Sequence, residues 1–110
     1  MKYVYLANIE GTDIYKIGFT KKNPIKRIEE LQTGNPQKIV LTSYHKSKMA
    51  PEVESVMHRF NVSKKYNSED GRMLLGEWFQ LNSDDVAGFK NQCEKIEEGL
   101  RVIKENSTLY

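Results

Sequence analysis

Tyr5, Lys16, Arg27 and His58 are side chains whose types and spacing could do chemistry on a phosphate. Tyr5 and Lys16 come from two strand-like runs, Tyr3-Val4-Tyr5 and Tyr15-Lys16-Ile17-Gly18, separated by the turn signal Gly11-Thr12-Asp13. The runs read as a β-hairpin. Counting side chains in twos puts Tyr3, Tyr5, Lys16 and Gly18 on one face and Val4, Leu6, Tyr15, Ile17 and Phe19 on the other, a ready-made core. A face of tyrosine, lysine and an uncovered glycine can approach a phosphate backbone closely. A tyrosine at its ordinary pKa of about 10 is a poor base at neutral pH. A neighbouring Lys16 or a metal ion would favour its ionised form. Lys16 could instead bind phosphate, or act as the base if desolvation lowers its pKa. The bland reading of Tyr5 is a half-buried strand residue.

Hydrolysing a phosphodiester needs an activated water, a cation near the non-bridging oxygens and stabilisation of the leaving oxygen. Arg27 offers a planar fork of donors to a phosphate and lies off the apolar line of its helix. Taken alone, it would simply pair with Glu30 on the surface. Glu54 and His58, four residues apart, share a helix flank away from the apolar stripe. His58 could be a general acid or base, a phosphate contact or an outer partner of a metal-bound water. Glu54 without further context is a solvated glutamate. His45 reads as a surface residue.

The order of these pieces resembles the GIY-YIG nuclease superfamily, in its compact phage-associated branch where the second signature often reads Lys-Ile-Gly. The matching residues are Tyr3-Val4-Tyr5, Tyr15-Lys16-Ile17-Gly18-Phe19-Thr20, Arg27, Leu31-Gln32-Thr33-Gly34-Asn35-Pro36, Glu54 to Phe60 and Glu77-Trp78-Phe79. Tyr3 stands where the first signature has a glycine, Lys16 where the second has a tyrosine, and Leu31 where many relatives have a histidine. The resemblance implies a small α/β (α+β) fold, a mainly antiparallel sheet flanked by helices. It also implies a metal-dependent DNA endonuclease with a single-metal site. In that site Glu54 would hold Mg²⁺ or Mn²⁺, with Tyr5, Lys16, Arg27 and His58 catalytic. Lys21, Lys22 and Lys26 would contact DNA. The five site residues are expected on one accessible concave surface. The alternatives are a nucleic-acid-binding module that has lost cleavage and a protein-interaction domain reusing the fold. A homodimer or a targeting partner would fit so small a nuclease.

The elements that must position these residues follow from periodicity. Asn23 and Pro24 open a helix whose Ile25, Ile28 and Leu31 line one side, and Gly34 can end it in a left-handed conformation. Residues 38–45 alternate as a third strand. A second helix starts near Pro51, with Val53, Val56, Met57 and Phe60 facing the core. Residues 61–73 read as a polar loop and 77–81 as a short aromatic strand, with Trp78 and Phe79 structural. Ser83 with Asp84 and Asp85 starts a long amphipathic helix carrying Val86, Phe89, Cys93, Ile96, Leu100 and Ile103, and the residues from Asn106 should fray. The expected organisation is a core over 1–81 with the C-terminal helix of 82–110 packed on it.

The 110 residues suit one domain and should bury roughly two-thirds of the unfolded surface. The absence of a long apolar run argues against a membrane span, and the lone Cys93 suits a reducing cytoplasm and excludes a cysteine zinc site. Net charge is only +2. Its distribution is uneven: residues 1–65 carry 12 Lys/Arg against 6 Asp/Glu, and residues 66–110 carry 5 against 9. A basic half that contains the motifs suits a polyanion such as DNA.

Overall fold

The structure is a computed structural model and describes residues 2–66 and 78–107. It is an α+β fold: a four-stranded sheet in the order β3-β1-β2-β4, every pair antiparallel. Strands β1 (Tyr3–Ile9) and β2 (Ile14–Thr20) form the expected hairpin. Gly11 takes a positive φ of 81°, a turn conformation that favours glycine. The Thr12 hydroxyl donates to the Ile9 carbonyl at 2.7 Å. Tyr5 stands opposite Gly18 and Leu6 opposite Ile17, the parity read from the sequence.

Helix α1 (Pro24–Gln32) is capped by the Asn23 side chain, which accepts from the Ile25 amide, and Gly34 follows its end at φ 80°. Strand β3 (Ile39–Lys46) follows, then α2 (Ala50–Phe60), β4 (Trp78–Gln80), a short helix α3 (Ser83–Ala87) and α4 (Phe89–Ser107). The expected long C-terminal helix is therefore two. Its cap is Asn82, in a reciprocal box with Asp85, and the first turn ends at Gly88, which supports helix poorly. Helix α4 continues to Ser107, beyond the expected fraying point.

Each face of the sheet buries its own cluster. Val4, Leu6 and Ile17 pack with Val53 and Met57 of α2, Phe79 and Leu81, and Phe89, Cys93 and Ile96 of α4. On the opposite face Tyr5, Ala7 and Ile9 pack with Ile28 of α1, Ile39 and Trp78. The C-terminal helix thus packs on the sheet, as its stripe required. Four residues of the expected apolar stripes fall outside: Phe19, Ile25, Phe60 and Ile103 are exposed. Each lies near an element end, where the periodic stripe runs past the neighbour it would cover. Within the expected 61–73 loop, Val62–Lys64 forms a 3₁₀ turn and Lys65 bridges to Phe79. Residues 67–73 of that loop and Glu77 lie outside the described residues. No helix among the described residues is long and apolar enough to cross a membrane.

Candidate functional site

The site begins with a contact between Tyr5 and Gly18. A Cβ placed on Gly18 would lie 2.5 Å from both the Cζ and the hydroxyl oxygen of Tyr5. The ring therefore crosses directly over β2, and the glycine is needed for space. This corrects the expectation of an uncovered glycine open to phosphate: Gly18 is buried beneath Tyr5. Crossing β2 carries the Tyr5 hydroxyl away from β1 and over the neighbouring strand.

Arg27 of α1 hydrogen-bonds to Tyr5, and the charges of both Arg27 and Glu54 act on it. Burial pushes the phenol above its ordinary value; the Arg27 hydrogen bond and charge pull it back in part, and Glu54 adds to the rise. Loss of water outweighs the nearby cation. At neutral pH Tyr5 keeps its proton, so the expected ionised tyrosine is not what this environment favours. Arg27 also meets Glu30 at 3.4 Å, the pairing expected of a surface arginine, while Lys22 takes Glu30 at 2.7 Å. These contacts hold the Glu30 carboxyl below its usual range, Lys22 first among them. Lys22 is thereby engaged within the fold, whereas Lys21 and Lys26 are exposed beside it.

Helix α2 supplies the other side. Among the described residues β4 pairs with β2 only from Ile14 to Lys16. Beyond that ladder the Ile17 carbonyl accepts a 2.7 Å hydrogen bond from His58 Nε2. The His58 ring leans on Phe79, with centroids 5.3 Å apart, and Nε2 lies 3.8 Å from a Glu54 carboxylate oxygen. His58 thus ties α2 to the sheet and sets Glu54 one helical turn away at its margin. Its Nε2 is committed to the backbone, which narrows the broader roles expected of it.

Lys16 shares the Tyr5 face by register but is directed toward β4, its Nζ 5.7 Å from the Trp78 ring centroid. Tyr5 is only 1% exposed and Lys16 8%. The structure therefore brings Arg27, Tyr5, Glu54 and His58 into one linked group, with Lys16 beside Trp78 on the same face. The open concave surface expected for all five is corrected: solvent reaches Arg27, Glu54 and His58.

Sequence reasoning missed two residues. Tyr44 stands opposite Tyr5, half exposed, in an edge-on contact with Tyr3. Strict alternation placed Tyr44 with Val40 and Thr42, but a register shift opposite Leu6 and Ala7 moves it to the face of Ile39 and Leu41. No sequence signal marks that bulge. His45, expected at the surface, is half buried against Glu97 of α4 at 3.3 Å. Its partner lies 52 residues away, beyond the reach of a local pattern.

A family model, the T5orf172 domain, matches residues 2–96, a span that takes in the hairpin, both flanking helices and all five site residues. The chain belongs to the T5orf172 domain family. That family is phage-associated and linked to nucleic-acid binding and nuclease-like function. A stretch of 58 residues is 34% identical to the chromosomal replication initiator protein DnaA of Desulfotalea psychrophila, covering 53% of this chain and 12% of that protein. The chain thus corresponds to a small part of this curated relative. No solved structure gives a significant match.

Proposed function

We propose that this T5orf172 domain is a metal-dependent DNA endonuclease of the GIY-YIG type, working at the Arg27–Tyr5–Glu54–His58 group. One observation carries the reading: a cation from α1 and a carboxylate from α2 both act on one tyrosine hydroxyl, placed by the absence of a side chain at Gly18. Phosphoryl chemistry needs these parts: a cation, a hydroxyl and a carboxylate acting at one place. The DnaA relative and the family's nucleic-acid association support DNA as the substrate class.

In this reading Arg27 presents its guanidinium to the non-bridging oxygens and neutralises charge that grows as the phosphorus is attacked. Tyr5, kept protonated by burial, accepts from Arg27 and so orients its guanidinium toward the phosphate. His58 fixes the orientation of α2 and hence of Glu54. Lys16, held at Trp78, contributes positive charge beneath the face. Among the described residues no group of three or more His, Cys, Asp or Glu gathers to hold a metal. A single carboxylate with bound waters fits Mg²⁺ or Mn²⁺ and does not fit zinc, so Glu54 is the residue that would hold the ion. When bound, the ion supplies Lewis-acid charge and lowers the pKa of its water.

The burial of Tyr5 and Lys16 favours a second reading, a nucleic-acid-binding module without cleavage. Incubating purified protein with supercoiled plasmid and Mg²⁺ or Mn²⁺ separates them. The endonuclease reading expects nicked plasmid and a loss of about 10²–10³ in rate for Arg27→Ala. An intact plasmid with either ion, despite retained DNA binding, would establish the binding module instead.

A further inference from the structure

A second set of cations gathers at the other edge of the sheet. The end of β3 and the turn after it supply Lys46, Ser47, Lys48 and Met49, and α4 supplies Glu97, Arg101 and Lys104; together they border a groove of about 470 Å³. Four cations thus surround one carboxylate inside the groove. Glu97 is already engaged: burial alone would raise its pKa, but hydrogen bonds from Ser47 and His45 and the charges of His45 and Arg101 together hold it below the usual range. Arg101 clamps Glu97 at 3.0 Å and Glu98 at 2.9 Å, which fixes its guanidinium on the α4 side. Helix α2 begins beside this groove with no side-chain cap, and Glu52 in its first turn offsets the partial positive charge there.

We infer that this groove grips the DNA backbone, as a phosphate-binding site separate from the Tyr5 group. It sits at the β3 edge, its α4 wall on the face of the sheet opposite Tyr5. Tyr44 lies opposite Tyr5 on the sheet, and Lys46 lies opposite Tyr3. Lys46 stands two residues beyond Tyr44 along β3, roughly 7 Å at the rise of an extended chain. Lys46 thus stands where the β3 edge turns from the Tyr44 side to the α4 wall, and a backbone lying along this edge meets the cations of both. Cations spaced along such a path neutralise successive phosphates and release counterions, whatever the base sequence. This role rests on the DNA reading of the domain but not on cleavage.

The test compares Lys48→Gln/Lys104→Gln with wild type and with Arg27→Ala, measuring anisotropy of a labelled 30-base-pair duplex across a salt series. The double variant should bind more weakly, and its log affinity against log salt should flatten by about 2, one unit for each phosphate no longer neutralised. Its plasmid nicking at saturating DNA should match wild type, because neither lysine belongs to the Tyr5 group. Thermal melts confirm that each variant is folded; Lys48→Ala/Lys104→Ala replaces a pair that is not. An unchanged slope in a folded double variant overturns the groove as a phosphate site. Should Arg27→Ala keep full nicking while the double variant flattens the slope, the catalytic assignment fails and the groove stands.

Discussion

The two faces of this sheet are closed in different ways. Against Val4, Leu6 and Ile17, helices α2 and α4 lay down apolar side chains. Against Tyr5, helix α1 closes only part of the surface, and polar side chains lie among the apolar ones: Tyr5 meets Arg27, and Lys16 lies at Trp78. No buried side-chain nitrogen or oxygen among the described residues lacks a hydrogen-bond partner. Burying a phenol and an ammonium is costly unless each is partnered, so this face must hold specific geometry where the other needs only volume and shape. The apolar face makes the fold stable, and the mixed face uses some of that stability to hold Tyr5, Arg27 and Lys16 in fixed positions.

That contrast is easiest to break from the apolar side. Phe89→Ala removes a large, fully buried ring and should cost about 3–5 kcal/mol in urea unfolding. A loss below about 1 kcal/mol would show that α4 contributes little to the core.

Gly18→Ala comes next. The added methyl has no room beneath the Tyr5 ring, and overpacking of this kind costs roughly 1–3 kcal/mol. In a Tyr5→Ala background most of that penalty should vanish, because the obstructing ring is gone. Additive losses would mean that Tyr5 does not depend on Gly18.

Tyr5→Phe should be milder, about 0.5–1.5 kcal/mol for the Arg27 hydrogen bond. It also has a pH signature. The folded phenol has a raised pKa, so its contribution is complete below about 10 and lost as pH rises through the folded value. Wild type should therefore lose stability at alkaline pH more steeply than Tyr5→Phe. Equal alkaline limbs would mean that the phenol is solvated.

The smallest effect is expected at the opposite edge. The Glu97 pKa is lowered, so its contribution is present above about 4.3 and lost as pH falls through the folded value. Glu97→Gln should flatten the acid limb of a stability profile without moving the alkaline one. A steeper acid limb would contradict the Ser47, His45 and Arg101 contacts.

What the sequence made legible follows the same division. Strand parity and the Asn23, Gly34 and Pro24 signals are local, and they put Tyr5 and Gly18 on one face and bounded α1. The apolar stripe of α4 likewise announced its packing. Three features depended on contacts distant in sequence. Gly18 reads as an uncovered glycine open to a phosphate backbone until the Tyr5 ring is seen across it. The β3 bulge moves Tyr44 to the other face without a sequence mark. His45 needs Glu97 to become part of the fold. The charge split between the two halves was also incomplete, because Arg101 and Lys104 of the acidic half join Lys46 and Lys48 of the basic half at one groove.

The central claim is that Glu54, set at the sheet margin by His58, belongs to a metal-dependent phosphodiesterase site. Its most direct test is Glu54→Gln against wild type, with Mg²⁺-dependent plasmid nicking and duplex affinity measured on the same preparations. Glutamine keeps the size but loses the charge that would hold the ion. Nicking should fall by about 10²–10³, while affinity for DNA holds or rises, since a negative charge near the phosphates is gone. A Glu54→Gln protein that nicks as fast as a nicking wild type would contradict the assignment.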